Sequence, residues 1–254
     1  MGIFYEEELV KIYNGDAEAE MSKMDDGSVD LVVTSPPYNL KNSTGWGLKG
    51  NFHKSNNWHK AHADGGLHHG YEDHDDNMPH EEYVEWQRAC LTEMMRLLSP
   101  KGAIFYNHKW RVQKGLIQNR EDIVSGFPVR QILIWQRSGG MNFNKGYFLP
   151  TYEVIYVICN KDFKLNPKAN ALGDVWRINQ TKNIPHPAPM PYELAHRIIK
   201  SSPAGVVLDP FAGSGTTLLA ARDEGIKSVG IEINKKYCDV AVERLCRGLD
   251  AGCD

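Results

Sequence analysis

Apolar positions in this chain fall into short runs and helical stripes, with one long stretch that shows neither. Leu9 to Tyr13 and Val29 to Val33 read as strands, each a few residues long and rich in branched side chains. Residues 41 to 79 carry Gly, Asn, Ser, Asp and His without apolar periodicity. A loop that long within one domain points to function. Met78-Pro79-His80-Glu81 then opens a helix whose apolar positions Tyr83, Trp86, Cys90, Met94, Leu97 and Leu98 recur at helical spacing. Pro100-Lys101-Gly102 is expected to end it, before a strand over Ala103 to Tyr106. Val129 to Trp135 and Val154 to Ile158 predict two more strands, and residues 160 to 191 read as irregular. The last quarter alternates regularly: a strand over Gly205 to Leu208, a glycine-rich turn, a helix over Thr216 to Glu224, a strand over Ser228 to Ile231, and a helix over Lys235 to Arg247. That β-α-β-α run predicts a mostly parallel, doubly wound α/β sheet.

The glycine-rich turn carries the first chemistry. Asp209-Pro210-Phe211-Ala212-Gly213-Ser214-Gly215-Thr216-Thr217 joins a strand to a helix. Gly213 and Gly215 allow positive φ and close approach of a ligand, and the helix start offers free N–H groups. Glu232 closes the next strand, where an acidic residue can accept from two ribose hydroxyls. The third glycine of the dinucleotide motif is missing, with Leu218 in its place. Asp209 would repel a pyrophosphate and suit an ammonium group. These residues predict a nucleoside cofactor with an amino-acid end, S-adenosylmethionine in preference to NAD.

The second chemistry lies at the end of the strand in DLVVTSPPYNL, residues 30 to 40. Pro36 and Pro37 lack N–H groups and have fixed φ, so the tip is rigid and presents acceptors. Ser35 adds a hydroxyl and Tyr38 a flat ring, a combination suited to a planar base bearing an exocyclic amine. TSPPY followed by DPFAGSGTT resembles the β group of the DNA amino-methyltransferases, which methylate adenine N6 or cytosine N4. The resemblance implies a circularly permuted Rossmann-like methyltransferase fold with an inserted target-recognition region, one domain over residues 1–254. Within it, 41–79 would be a mobile loop over the active site, about 108–182 the target-recognition region, and 183–254 the cofactor-binding part. Catalysis would fall to Ser35, Pro36, Pro37 and Tyr38. Cofactor binding would fall to Asp209, Pro210, Phe211, Gly213, Ser214, Gly215, Thr216, Thr217 and Glu232. Asp16 resembles the residue that contacts the cofactor's adenine, and His186-Pro187 the segment near its methionine end. The base would be flipped out of double-stranded DNA and stacked on Tyr38. Ser35 leans to cytosine N4. Asn39 and Leu40, after the motif, tip the reading to adenine N6, with cytosine as the alternative; an RNA methyltransferase and a non-catalytic DNA-binding protein are the more remote ones. The resemblance also suggests a homodimer, acting with a restriction endonuclease or alone.

Composition adds little to this and contradicts none of it. The chain has 254 residues, 41% hydrophobic and 24% charged, with a net charge of −3. No apolar run approaches the ~20 residues of a membrane span. Five cysteines without a CxxC pair fit reduced thiols in a cytoplasm and no zinc site; the resemblance implies a bacterial cell, with a phage-encoded enzyme as the alternative source. Seven of ten histidines lie between 53 and 80, in no metal-ligand spacing, so no metal is expected. Charge is uneven: residues 101 to 182 hold 13 Lys/Arg against 5 Asp/Glu, a surface suited to phosphates. Within and beside it, Asn39, Trp46, Trp58, Lys109, Arg111, Arg137, Asn142, Asn144 and Lys145 are the expected DNA contacts.

Overall fold

The computed structural model describes residues 2–39, 78–113, 115–139, 142, 145–181 and 189–250, the last three without their side chains. In chain order the elements are β1 (Ile3–Glu6), β2 (Val10–Asn14), α1 (Ala17–Met21), β3 (Val29–Thr34), α2 (His80–Leu97), β4 (Leu98–His108), β5 (Arg111–Gln113) and β6 (Leu116–Gln118). There follow α3 (Glu121–Val124), β7 (Val129–Gln136), β8 (Tyr152–Cys159), β9 (Val175–Arg177), α4 (Tyr192–Ser201), β10 (Val206–Asp209), α5 (Thr216–Asp223), β11 (Lys227–Glu232) and α6 (Lys235–Asp250).

Nine of these strands form one sheet in the order β1-β2-β11-β10-β3-β4-β8-β7-β9, and β5 and β6 form a separate hairpin. From β2 through β4 the pairings are all parallel. β8 runs antiparallel between β4 and β7. Leu31, Val32 and Val33 are all fully buried, because β3 is covered on both faces and needs an unbroken apolar run. One face packs on α1, α2 and α3 through residues such as Val32, Ile104, Met94 and Ile123. The other packs on α4 and α5 through Leu31, Val33, Ile198 and Ala221, and α6 closes the edge over β2.

The doubly wound sheet expected from the sequence is therefore present, and its chain order is permuted. The β3-α2-β4 unit runs one way from the centre and the later β10-α5-β11 unit runs the other. Between β3 and β10 lies the switch point, where a crevice opens at the carboxyl ends of the strands. Both motifs end there.

Two expectations change. The helix ends at Leu97 and β4 begins at once, taking Pro100-Lys101-Gly102 into the strand. Val29 pairs with Leu98 but Leu31 pairs with Ala103, so the proline sits in a bulge that needs no ladder donor. The stretch from 160 to 191 is also less irregular than expected, since β9 extends the sheet beside β7. Trp176 is buried there while its neighbours are exposed, a three-residue alternation too short to read from sequence. The expected loop 41–79 lies outside the described residues except for its last two.

Candidate active site

β10 delivers Asp209 and β3 delivers Thr34 to the same point. The Asp209 carboxylate accepts from Thr34 Oγ1 at 2.8 Å, from Thr217 Oγ1 at 2.7 Å and from the Phe211 N–H at 3.2 Å. Burial raises its pKa from 3.8 to about 6, against the pull of these three donors. Glu232, at the end of β11, accepts from the Gly213 N–H and the Asn234 N–H, each at 2.8 Å. Asp16 caps α1, accepting from the Ala19 N–H at 2.9 Å. Asp16, Phe211 and Glu232 line one cleft; Asp209, Phe211, Pro189 and Met190 line a second, and Ser35 lines both. An acidic end for a ribose, an acidic end for an ammonium and a serine between them fit a nucleoside amino acid.

The turn itself is held from behind. Gly213 and Gly215 have φ of +51° and +74°, as the sequence predicted. A Cβ on Gly215, however, would lie 2.8 Å from Ala241 Cβ of α6. Close packing against α6, together with the positive φ, requires that glycine. Ser214 and Thr216 are likewise engaged: Arg244 of α6 donates to the Ser214 carbonyl and, at 3.0 Å each, to Ser214 Oγ and Thr216 Oγ1. Thr217 braces Asp209.

At the end of β3, Ser35 Oγ and Tyr38 OH lie 2.7 Å apart. Tyr38 donates to Glu153 Oε2 at 3.0 Å. Asn107 Nδ2 donates to Tyr38 OH at 2.8 Å, to Glu153 Oε2 at 3.2 Å and to Ser35 Oγ at 3.3 Å. Behind Tyr38, the His108 ring stacks at 4.8 Å between centroids. His108 is fully buried, and burial with the nearby Arg120 cation holds its pKa well below the usual 6.5. The Pro37 carbonyl accepts from the Tyr83 hydroxyl at 2.8 Å, so one of the two proline acceptors is already engaged within the fold. Trp86 of α2 meets Phe211 edge-on at 5.6 Å and lines the same cleft.

Thr34, Tyr83, Trp86, Asn107, Glu153 and Arg244 were not singled out from the sequence. Asn107 is the last but one residue of β4 and Glu153 the second of β8, strands that pair in the sheet (Asn107 with Ile155), and polar residues in otherwise apolar strands were the available signal.

Several expected DNA contacts are turned inward. Asn39 is buried, has φ of +53°, and donates through Nδ2 to the Met78 carbonyl. Asparagine suits that left-handed backbone, so its presence after SPPY is explained by the turn. Arg111 donates to the Asn39 carbonyl at 2.8 Å. Arg137 pairs with Glu153 Oε1 at 3.6 Å, drawn in by the carboxylate. Asn142 donates to the Tyr147 carbonyl. Lys109 is half-buried, its pKa lowered by burial and by Arg137. Lys145 is exposed. Trp46, Trp58, Asn144, His186 and Pro187 lie outside the described residues. Exposed Leu116, Ile117 and Phe148, none of them predicted, stand in the same region.

A family model described as DNA methylase, N6_N4_Mtase, matches residues 29–243. The type II methyltransferase M.BglII of Bacillus subtilis is 30% identical, over 95% of this chain and 70% of its own length. M.ScaI of Streptomyces caespitosus is 27% identical, over 95% and 83%. Among solved structures, a Thermus thermophilus protein assigned as a DNA modification methylase, in complex with S-adenosyl-L-methionine, superposes with a TM-score of 0.62 at 26% identity, covering 93% of this chain and 94% of that one. The cytosine-N4-specific PvuII DNA methyltransferase shares the fold, with a TM-score of 0.69 at 18% identity over 92% and 85%.

Fold and site thus define an S-adenosylmethionine-dependent methyltransferase. The chain belongs to the N6/N4 DNA methylase family, whose substrate is DNA.

Proposed function

We propose that this enzyme transfers a methyl group to N4 of cytosine at a specific site in double-stranded DNA. The observation that carries the reading is Ser35 as the hydroxyl acceptor at the junction of the two clefts. Serine at this position goes with cytosine in the enzymes the motif resembles. The opposing lean towards adenine N6 rested on Asn39 and Leu40. Leu40 lies outside the described residues, and the left-handed backbone accounts for Asn39 without any base contact. The PPYNL match to adenine-specific members keeps adenine N6 as the second reading.

In this assignment Asp209 holds the cofactor's ammonium, Glu232 its ribose and Asp16 its adenine, while Phe211 walls the cleft that joins them. Bound there, S-adenosylmethionine supplies an electrophilic methyl group. The flipped base stacks on Tyr38 and donates its amine to Ser35 Oγ and the Pro36 carbonyl. Those acceptors draw the nitrogen lone pair out of ring conjugation, so positioning and electrostatics supply the rate. Lys109, Lys145 and the β5–β6 hairpin with exposed Leu116 and Ile117 are the surface offered to the duplex. The type II names of the relatives support a place in a restriction–modification pair.

DNA from a methylation-free host expressing the chain, digested to nucleosides and analysed by mass spectrometry, tests this directly. N4-methylcytosine is the expected product. N6-methyladenine would replace the first reading with the second, and the absence of both would overturn the function.

A further inference from the structure

The contacts around Tyr38 form a network whose direction can be read. Glu153 is buried and has Arg137 on its second oxygen at 3.6 Å, so it acts as an acceptor only. Tyr38 must spend its single proton on Glu153, at 3.0 Å. The Tyr38 oxygen can then only accept, and Asn107 Nδ2 already donates to it at 2.8 Å. The Ser35 hydroxyl, 2.7 Å away, is placed to donate to that oxygen. With its proton committed to Tyr38, Ser35 Oγ faces the clefts with lone pairs alone. Asn107 reinforces this. Its two Nδ2 hydrogens are shared among Ser35, Tyr38 and Glu153, while its Oδ1 is buried without a hydrogen-bond partner among the described residues.

We propose that Glu153 is a positioning residue that fixes the direction of these hydrogen bonds, and so makes the target pocket accept an amine and refuse a carbonyl. The inference rests on the methyltransferase reading of the Ser35 site and applies to either base. Cytosine and adenine bring an N–H donor to Ser35 Oγ. Uracil and hypoxanthine, which carry a carbonyl at the same place, would set an oxygen against an oxygen, and neither Ser35 nor Asn107 has a proton to spare. A buried acceptor left unpaired is costly, and sites built this way discriminate strongly. Without the anchor at Glu153, the Tyr38 proton can turn to Ser35, and Ser35 is released to donate.

The test uses the full chain and its recognition duplex, with the target base either intact or replaced by its carbonyl counterpart. Affinity is measured for both duplexes, with the wild type and with Glu153→Gln, whose amide can donate as well as accept. The flipping cost belongs to the DNA and cancels when the amine-to-carbonyl affinity ratio is compared between proteins. The expected result is a ratio narrowed about tenfold in Glu153→Gln, the equivalent of one hydrogen bond, with S-adenosylmethionine affinity unchanged. Tyr38→Phe removes the central hydroxyl and should narrow the ratio similarly, so it decides the matter if Glu153→Gln does not fold. An unchanged ratio in the folded variants, with a wild type that methylates DNA, would overturn this proposal alone. A wild type that transfers no methyl group to DNA would overturn the functional reading, and this proposal with it.

Discussion

Asp209 is a carboxylate buried among hydroxyls, and its raised pKa has two consequences of definite sign. Its pKa rises from 3.8 to about 6 on folding. The protonated form is therefore the one the fold favours: this contribution is full below pH ~4 and lost as pH rises through ~6. About two units correspond to roughly 3 kcal/mol, so Asp209→Asn should stabilise the ligand-free protein at pH 8 by up to that amount. Thermal melts at pH 8 and pH 4 should show the advantage shrinking at the lower pH. Cofactor binding runs the opposite way if Asp209 holds the ammonium. Protonation then competes with the ligand, and affinity should fall by up to about tenfold per pH unit below pH 6. Calorimetric titrations across that range would show a flat profile in Asp209→Asn if the assignment is right, and an unaltered slope if it is wrong. Tyr38 belongs to the other half of the site. Tyr38→Ala should lower kcat about 100-fold or more and leave cofactor affinity within about threefold, whereas Asp209→Ala should reduce both. Equal loss of cofactor binding in the two variants would contradict this division.

The strand-turn-helix from β10 into α5 was the most legible element, and it also shows where the reading ran out. Its glycines, its acidic entry and the acid ending β11 are all local in sequence, so their combination announced a nucleoside site. What holds the turn is not local. Arg244 lies 30 residues from Ser214 and reaches it from α6, beyond the intervening β11. Nothing in the spacing of α6 marks that arginine apart from the exposed ones. Arg244→Ala removes bonds to Ser214 and Thr216, and cofactor affinity should drop about tenfold, about one hydrogen bond's worth, by the same titration. Gly215→Ala forces a side chain into positive φ and against Ala241, at a cost of about 1–3 kcal/mol in urea unfolding. The SPPY tip was legible for the same reason as the glycine turn, being contiguous. Its supports Tyr83, Asn107 and Glu153 come from α2, β4 and β8, and only helix packing, for the first, and sheet pairing, for the other two, bring them in. Sequence records the charge of a cation but not its direction: Arg137 answers the buried Glu153 carboxylate and Arg111 the Asn39 carbonyl.

Across the whole molecule, fold class followed from the alternation of the last quarter, and the circular permutation was implied by the resemblance of two motifs in reversed sequence. Joining the halves depends on partners far apart in the chain. Thr34 and Asp209, which share a hydrogen bond, are 175 residues apart. β2 and β3 are separated in the sheet by β11 and β10, which come from the far end of the chain. Residues 1–204 alone would leave β2 without its parallel partner and β3 open along one edge. That fragment should show no cooperative urea transition and should bind dyes that seek exposed apolar surface; a sharp transition would mean the early strands close on one another. During synthesis the ribosome delivers β10 and β11 after the other strands of the sheet, so β2 and β3 must wait with an unfilled gap between them. The permuted order thereby sets a timetable: the gap between β2 and β3 stays open until residue 232 has emerged, and long-range closure of this kind slows folding and leaves apolar strand edges exposed meanwhile.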